Sequence, residues 1–201
     1  AKVRAEVAEI DDLYSKYRLN EALMTAFKLF TDEFSGWYLE MVKPAYQAPI
    51  DRKTLQATLQ IFEDLMKVIH PFMPFITEEI YQHITERAEG ESIMTSVLTL
   101  EAPNQADAAL LASMEQAKQI ISGVRAIRQS KNIAPREEMT LEVVETEGAD
   151  HSEAHDEALC QIIKKMATLE AVHFVTQKSE GAQTFLIGTD EYAVPLGNLI
   201  D

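Results

Sequence analysis

The chain reads as a mainly α protein: an antiparallel helical bundle over residues 1–90, then a connecting loop, a long helix and a small α+β subdomain over 91–201. Three observations predict this. Apolar residues recur at three- and four-residue steps through roughly the first 87 positions, the period of helices with one buried face. The run HPFMPFITEEIY, His70 to Tyr81, stops one helix and starts another, because Pro71 and Pro74 donate no backbone hydrogen bond and disfavour helical geometry just before them. Beyond Pro135 the period changes from helical to strand-like.

The first helix is expected over Val3–Tyr14, with Val7, Ile10, Leu13 and Tyr14 on one face. A second starts near Leu19 and carries Leu23, Ala26 or Phe27, Phe30, Phe34, Trp37 or Tyr38, and Met41 inward, ending before Pro44. The loop KPAYQAPID leads to Asp51, an N-cap for a third helix that buries Leu55, Leu59, Phe62, Leu65 or Met66, and Ile69. At the corner, Pro74 suits the first turn of a fourth helix reaching about Arg87. Phe72, Phe75, Ile76 and Ile80 are expected to form an apolar wedge there, and Glu78 and Glu79 to complement the helix dipole. Short connections between long amphipathic helices favour antiparallel neighbours.

Ala88–Asn104 reads as a crossing loop broken by Gly90 and Pro103, and the domain boundary is placed within it. Asn104 would cap a fifth helix with the stripe Leu110, Met114, Ala117, Ile121, Val124 and Ile127 or Arg128, ending before Pro135. Met139–Val144 alternates as a strand, and Ser152–Leu169 forms a helix with Ala158, Leu159, Ile162, Ile163 and Met166 inward. Ala171–Thr176 is a second strand. Gln183–Gly188 and Glu191–Leu196 pair as a hairpin around Thr189 and Asp190.

Composition narrows the function. A formal net charge of -15 excludes a whole-domain basic footprint, so any contact with RNA must come from a local patch. The single cysteine, Cys160, excludes an internal disulfide and a cysteine-rich zinc module and fits a reducing compartment. No apolar run approaches the ~20 residues of a membrane span, and the first residues lack a signal-peptide centre, so a cytoplasmic location is expected.

One window stands out as basic: Lys118 to Arg136 holds Lys118, Arg125, Arg128, Lys131 and Arg136 and no carboxylate. These cations either meet RNA or a neighbouring domain, or merely complement a helix C-terminus. Base stacking needs an exposed ring beside polar groups, and Arg18, Asn20, Trp37, Tyr38, Lys43, Tyr46, Arg52 and Lys53 are the bundle's candidates. Trp37 sits at core spacing and is expected to pack inside, whereas Tyr46, between Pro44 and Pro49, is the better stacking ring. No catalytic residue and no metal site is assigned. Glu78 and Glu79 point about 100° apart and cannot face each other as an acid–base pair. His151 and His155 lack a further well-placed ligand, and Cys160 reads as a small buried residue.

Tyr17–Pro44, with its terminal WYLEMVKP, the corner His70–Tyr81, and VRAIRQSKNIAP at Val124–Pro135 occur in an order that resembles the anticodon-binding region of class I aminoacyl-tRNA synthetases. The wording HPFMPFITEE and the closing IGTDEYAVPLGNLID are most similar to the valyl type. The resemblance implies a segment that positions tRNA(Val) for a catalytic domain using ATP and magnesium, in a monomeric enzyme that also carries a C-terminal coiled-coil arm. Arg18 and Lys43 fall within the matched segments. Neither the HIGH-like nor the KMSKS-like motif of the catalytic domain is written in the chain, so the segment alone is expected to be inactive. The rival readings are the equivalent segment of an isoleucine or leucine ligase, and a helical protein-interaction module for which an acidic surface is natural.

Overall fold

Helix α1 (Lys2–Ser15) buries Ile10 and Leu13, and a turn containing Tyr17 in the left-handed region (φ 59°) reverses the chain into α2 (Leu19–Lys28). The computed structural model describes residues 1–100, 105–145 and 156–197, which fall into two units, Ala1–Asp107 and Ala108–Asp201. In the first unit α2 passes without a break through a π-helical stretch (Leu29–Tyr38) into the single turn α3 (Leu39–Val42), so residues 19–42 form one long helix, as the period predicts. Along it Phe30, Phe34 and Tyr38 form a ring ladder with centroids 6.1 and 5.6 Å apart, and Phe62 of α4 (Arg52–Ile69) closes on Phe34 at 5.8 Å. Such ring pairs contribute about 0.5–1.5 kcal/mol each beyond the area they bury.

The inward face of α2 takes Ala26, one of the two expected alternatives, and differs from expectation at Leu23. Ala22 and Ala26 are buried, whereas Leu23 and Phe27 are exposed, the latter by 54%. Small side chains let α2 approach its neighbours closely, and close packing of backbones turns the bulkier residues outward.

Asp51 caps α4 by accepting the Thr54 N–H at 2.9 Å, and α4 ends at the proline corner. Pro74 opens α5 (Pro74–Ile84), which stops short of Arg87 because Thr85 is extended. The Thr77 side chain is fully buried, its hydroxyl 2.8 Å from the Met73 carbonyl and 2.7 Å from His70 Nδ1, so the corner is tied by hydrogen bonds. The expected wedge is only partly formed. Phe72 stacks on Tyr14 at 6.1 Å and Ile80 packs on the core, but Phe75 is 90% exposed and Ile76 also faces out. The α5 face that turns inward is Thr77, Ile80, Tyr81 and Ile84, and Phe75 and Ile76 lie off it.

The residues just after position 90 belong with the bundle rather than with the second unit. Glu78 accepts from the Ser92 hydroxyl at 2.6 Å and the Ile93 N–H at 3.1 Å, and Ile93, in the 3₁₀ turn Ile93–Thr95, is buried in the bundle core. Glu78 thus fastens the segment after α5, a role its position on the helix does not reveal. Arg87 lies over the Tyr81 ring, 3.6 Å from its centroid, and donates to Glu63 at 2.7 Å, while Tyr81 donates to Glu91.

The second unit contains most of α6 (Gln105–Ser130), which buries Ala117, Ile120, Ile121, Val124 and Ile127. Its four-stranded sheet has the order β2-β1-β4-β3. Strands β1 (Met139–Val144) and β2 (Leu169–Val175) are parallel and joined through α7 (Glu157–Ala167); β3 (Gln183–Ile187) and β4 (Asp190–Val194) form an antiparallel hairpin, with β4 also pairing β1. The hairpin turn is Gly188–Thr189, one residue earlier than expected, because Gly188 supplies the positive φ of 60° that a two-residue turn requires. Asn104, His151 and His155 lie outside the described residues. Phe185 lies against Gly123 of α6 and stacks on Tyr192 at 5.3 Å, so a Cβ at position 123 would collide with the ring.

Gly123→Ala should therefore cost about 1–3 kcal/mol, read by urea unfolding, because the stacked ring resists displacement. The first unit should also be acid-labile. Hydrogen bonds from Ser92 and Gln82 hold the Glu78 carboxyl below the usual range, and Glu91 is lowered by the Ala88 N–H and Tyr81. For Glu63 burial pushes upward, but Arg87 and Lys67 prevail and the net shift is downward. Carboxyls depressed in the folded state stabilise fully above the unfolded value of about 4.3 and lose that stabilisation as pH falls through the folded values. The Tm should drop steeply below about pH 4.3, and a Glu78→Gln, Glu91→Gln double variant should show a lower Tm at pH 7 and a flatter acid limb.

Candidate nucleic-acid interface

The bundle has two chemically different ends. A helix of residues 19–42 and an antiparallel α4 place the corners at 16–18 and 70–73 at one end and the loop 43–51 at the other, about 30 Å away by helical rise. Of the bundle's candidates, Lys43, Tyr46, Arg52 and Lys53 come together within eleven residues, and Arg18 and Asn20 are at the far end. Arg18 is paired with its own neighbour Glu21, which raises the guanidinium pKa further through that hydrogen bond.

The loop holds its ring out by backbone geometry. Ala48 N–H donates to the Ala45 carbonyl at 2.9 Å, closing a turn with Tyr46 and Gln47 at its centre and Gln47 in the left-handed region (φ 64°). That conformation costs a non-glycine residue about 1–2 kcal/mol and fixes Tyr46 at the tip, where it is 92% exposed. No sequence signal marks Gln47, since turns of this kind ordinarily use Gly or Asn. Lys43 lies 3.6 Å from Glu40. Among the described residues Arg52 and Lys53 are exposed and form no ion pair, and the one carboxylate between them and Tyr46, Asp51, is engaged by Thr54, which lowers its pKa. Trp37 is half-buried.

The basic window in the second unit is largely consumed by the fold. Arg128 is only 9% exposed and donates to the Ala134, Glu137, Ala167 and Thr168 carbonyls at 2.7–3.1 Å. Arg125 donates twice to the Met166 carbonyl, at 3.1 and 2.7 Å. Both guanidiniums thus satisfy the C-terminus of α7, where Thr168 is left-handed (φ 56°); the helix end they complement is not their own. Burial lowers the Arg128 pKa even though Glu137 acts in the opposite sense. Arg128 is therefore removed from the RNA-facing set, since its donors are spent on backbone oxygens. The Lys118 side chain is mostly covered and near Glu115 and Lys131 is half-buried, whereas Arg125, although it donates to Met166, and Arg136 are exposed. Among the described residues no group of three His, Cys, Asp or Glu could hold a metal ion, and no helix is long and apolar enough to cross a membrane.

The family model that matches, over residues 1–145, is that of the anticodon-binding domain of tRNA ligases. The chain belongs to that family. Its curated relatives include proteins named valine–tRNA ligase: one from Phocaeicola vulgatus is 48% identical over the whole chain, one from Parabacteroides distasonis 49% over 97% of it, and one from Rhizobium meliloti 26% over 97%. The chain spans only about a fifth of these relatives, 22%, 21% and 21% respectively.

Arg128→Met should destabilise the chain by on the order of 3 kcal/mol, because four carbonyls lose charge-assisted donors, and Arg128→Lys should not rescue it, lacking the planar fork. Arg52→Ala should stay within about 0.5 kcal/mol. Thermal and urea unfolding of the three variants provides the comparison.

Proposed function

We propose that the chain is the anticodon-arm-holding segment of a valine–tRNA ligase, and that the loop end of its bundle, Lys43, Tyr46, Arg52 and Lys53, is where RNA docks. The observation that carries this is the pairing of a nearly fully exposed ring with two cations that form no ion pair among the described residues, in a chain of net charge -15. A base stacked on Tyr46 contributes about 1–3 kcal/mol, and each cation neutralises a phosphate. The valine reading rests on the names of relatives nearly half identical over the whole chain. In the intact, cytoplasmic, monomeric enzyme, ATP and magnesium would act in a catalytic domain outside these 201 residues, and the segment alone would not aminoacylate. Energy spent on the remote anticodon arm helps deliver the acceptor end to that domain and so raises kcat/KM for the correct tRNA.

Fluorescence anisotropy on the full-length ligase, with tRNA(Val) and tRNA(Ile) at two salt concentrations, tests the proposal. Tyr46→Ala should weaken tRNA(Val) binding about 5- to 150-fold, the equivalent of one stack. The Arg52→Ala, Lys53→Ala pair should reduce the salt slope by about two. Unchanged affinity and slope in both would overturn the site, and equal affinity for tRNA(Ile) would overturn the valine assignment.

A further inference from the structure

The second unit has a feature that the RNA reading does not use, the connection between β2 and β3. In the order β2-β1-β4-β3 these strands are the two edges of the sheet, so the chain from 176 to 182 must cross β1 and β4, a width of about 14 Å at the usual strand spacing. Strand register shows which face it crosses. His173, Glu142, Ala193 and Thr184 form one row of paired residues, and paired residues point to the same side. In the next row Phe185 and Tyr192 point the other way, and Phe185 lies against Gly123 of α6. The crossing segment therefore runs over the face opposite α6, where Ser179 reaches Glu142 and Lys178 reaches Glu191 at 2.6 Å.

We infer that residues 176–182 are a latched strap, which lifts from this face and closes on it again while the sheet stays intact, with Glu142 as the latch. Residues 176–181, TQKSEG, are all exposed and include no large apolar side chain, so no hydrophobic burial of their own holds them down. Their one backbone bond closes a local turn, from the Ala182 N–H to the Ser179 carbonyl at 3.2 Å, with Gly181 in the left-handed region (φ 76°). The Lys178–Glu191 pair is partly exposed, and solvent weakens it. Glu142 is different. It is only 7% exposed, on an inner strand, and its two oxygens accept the Ser179 N–H, at 2.9 Å, and the Ser179 hydroxyl. Hydrogen bonds to a carboxylate are the strong kind, and among the described residues Ser179 supplies both of them. When the strap lifts, water takes the two places on the carboxylate, so opening leaves no polar group unsatisfied. It uncovers Glu142 and its fully buried cross-strand partner Ala193 without breaking a strand-to-strand bond. The open strap thus creates a sheet surface that the closed one hides.

Hydrogen exchange on the full-length protein, read by mass spectrometry on the peptide covering 176–182, tests the latch. The slow amides in that peptide are those of Ser179 and Ala182, which donate hydrogen bonds. They should exchange through an opening that sub-denaturing urea does not accelerate, whereas the amides of 139–144 should exchange through one that it does. Ser179→Ala and, separately, Glu142→Gln should speed the strap amides about tenfold, with less than about a twofold change in 139–144. Ser179→Ala acts from the strap side, so any loss of sheet stability caused by the buried substitution at 142 does not obscure the result. The latch is overturned if strap and strand amides share one urea dependence in the wild-type protein, if they speed up together in Ser179→Ala, or if the strap amides ignore both substitutions.

Discussion

The packing of the long helix, residues 19–42, against α1 and α4 is the interaction on which the first unit depends. Ala22 and Ala26 permit close approach in its first half, and the Phe30–Phe34–Tyr38 ladder against Phe62 fills its second. Because the helix is continuous, the residues at 16–20 are kept about 30 Å from those at 43–53. That rigidity makes it meaningful to speak of a tip and a base. Helix α4 brings the chain back from tip to base, and the hydrogen-bonded corner at His70–Thr77 reverses it there without loosening the core.

Charge is the second constraint. With 33 acidic and 18 basic side chains, a cation in this chain usually has a local or internal partner. Arg4 holds Asp107, Arg18 holds Glu21, Arg87 holds Glu63, and Arg125 and Arg128 satisfy the end of α7. Burying a guanidinium on backbone carbonyls is tolerable because its five donors can be met in a plane. What distinguishes Arg52 and Lys53 is that they sit on the first turn of α4, where the nearby carboxylate, Asp51, is already capping the helix. Their availability arises from helix-end chemistry.

Much of this was legible in the sequence. The prolines at 44, 71 and 74 and the Asp51 cap determine where helices stop and start, and the change of period after Pro135 marks the sheet. Periodicity was less able to choose the buried face of α2, since Leu19–Leu23–Phe27 and Ala22–Ala26–Leu29 are both apolar at helical spacing. Which one turns inward depends on how closely α1 and α4 approach. Likewise the fate of Arg128 could not be read locally: the carbonyls it serves at Ala167 and Thr168 lie about forty positions further on, and only the fold brings them together. Tyr46 was readable because prolines flank it and no apolar period includes it.

Site-resolved cross-linking tests the central claim most directly. A tRNA(Val) carrying a photoreactive nucleotide in its anticodon loop, irradiated with the full-length ligase and then subjected to peptide mapping, should label residues 43–53, with Tyr46 as the principal adduct. Labelling confined to residues 16–27 or 73–76, at the opposite end of the bundle, would contradict the assignment of the two ends.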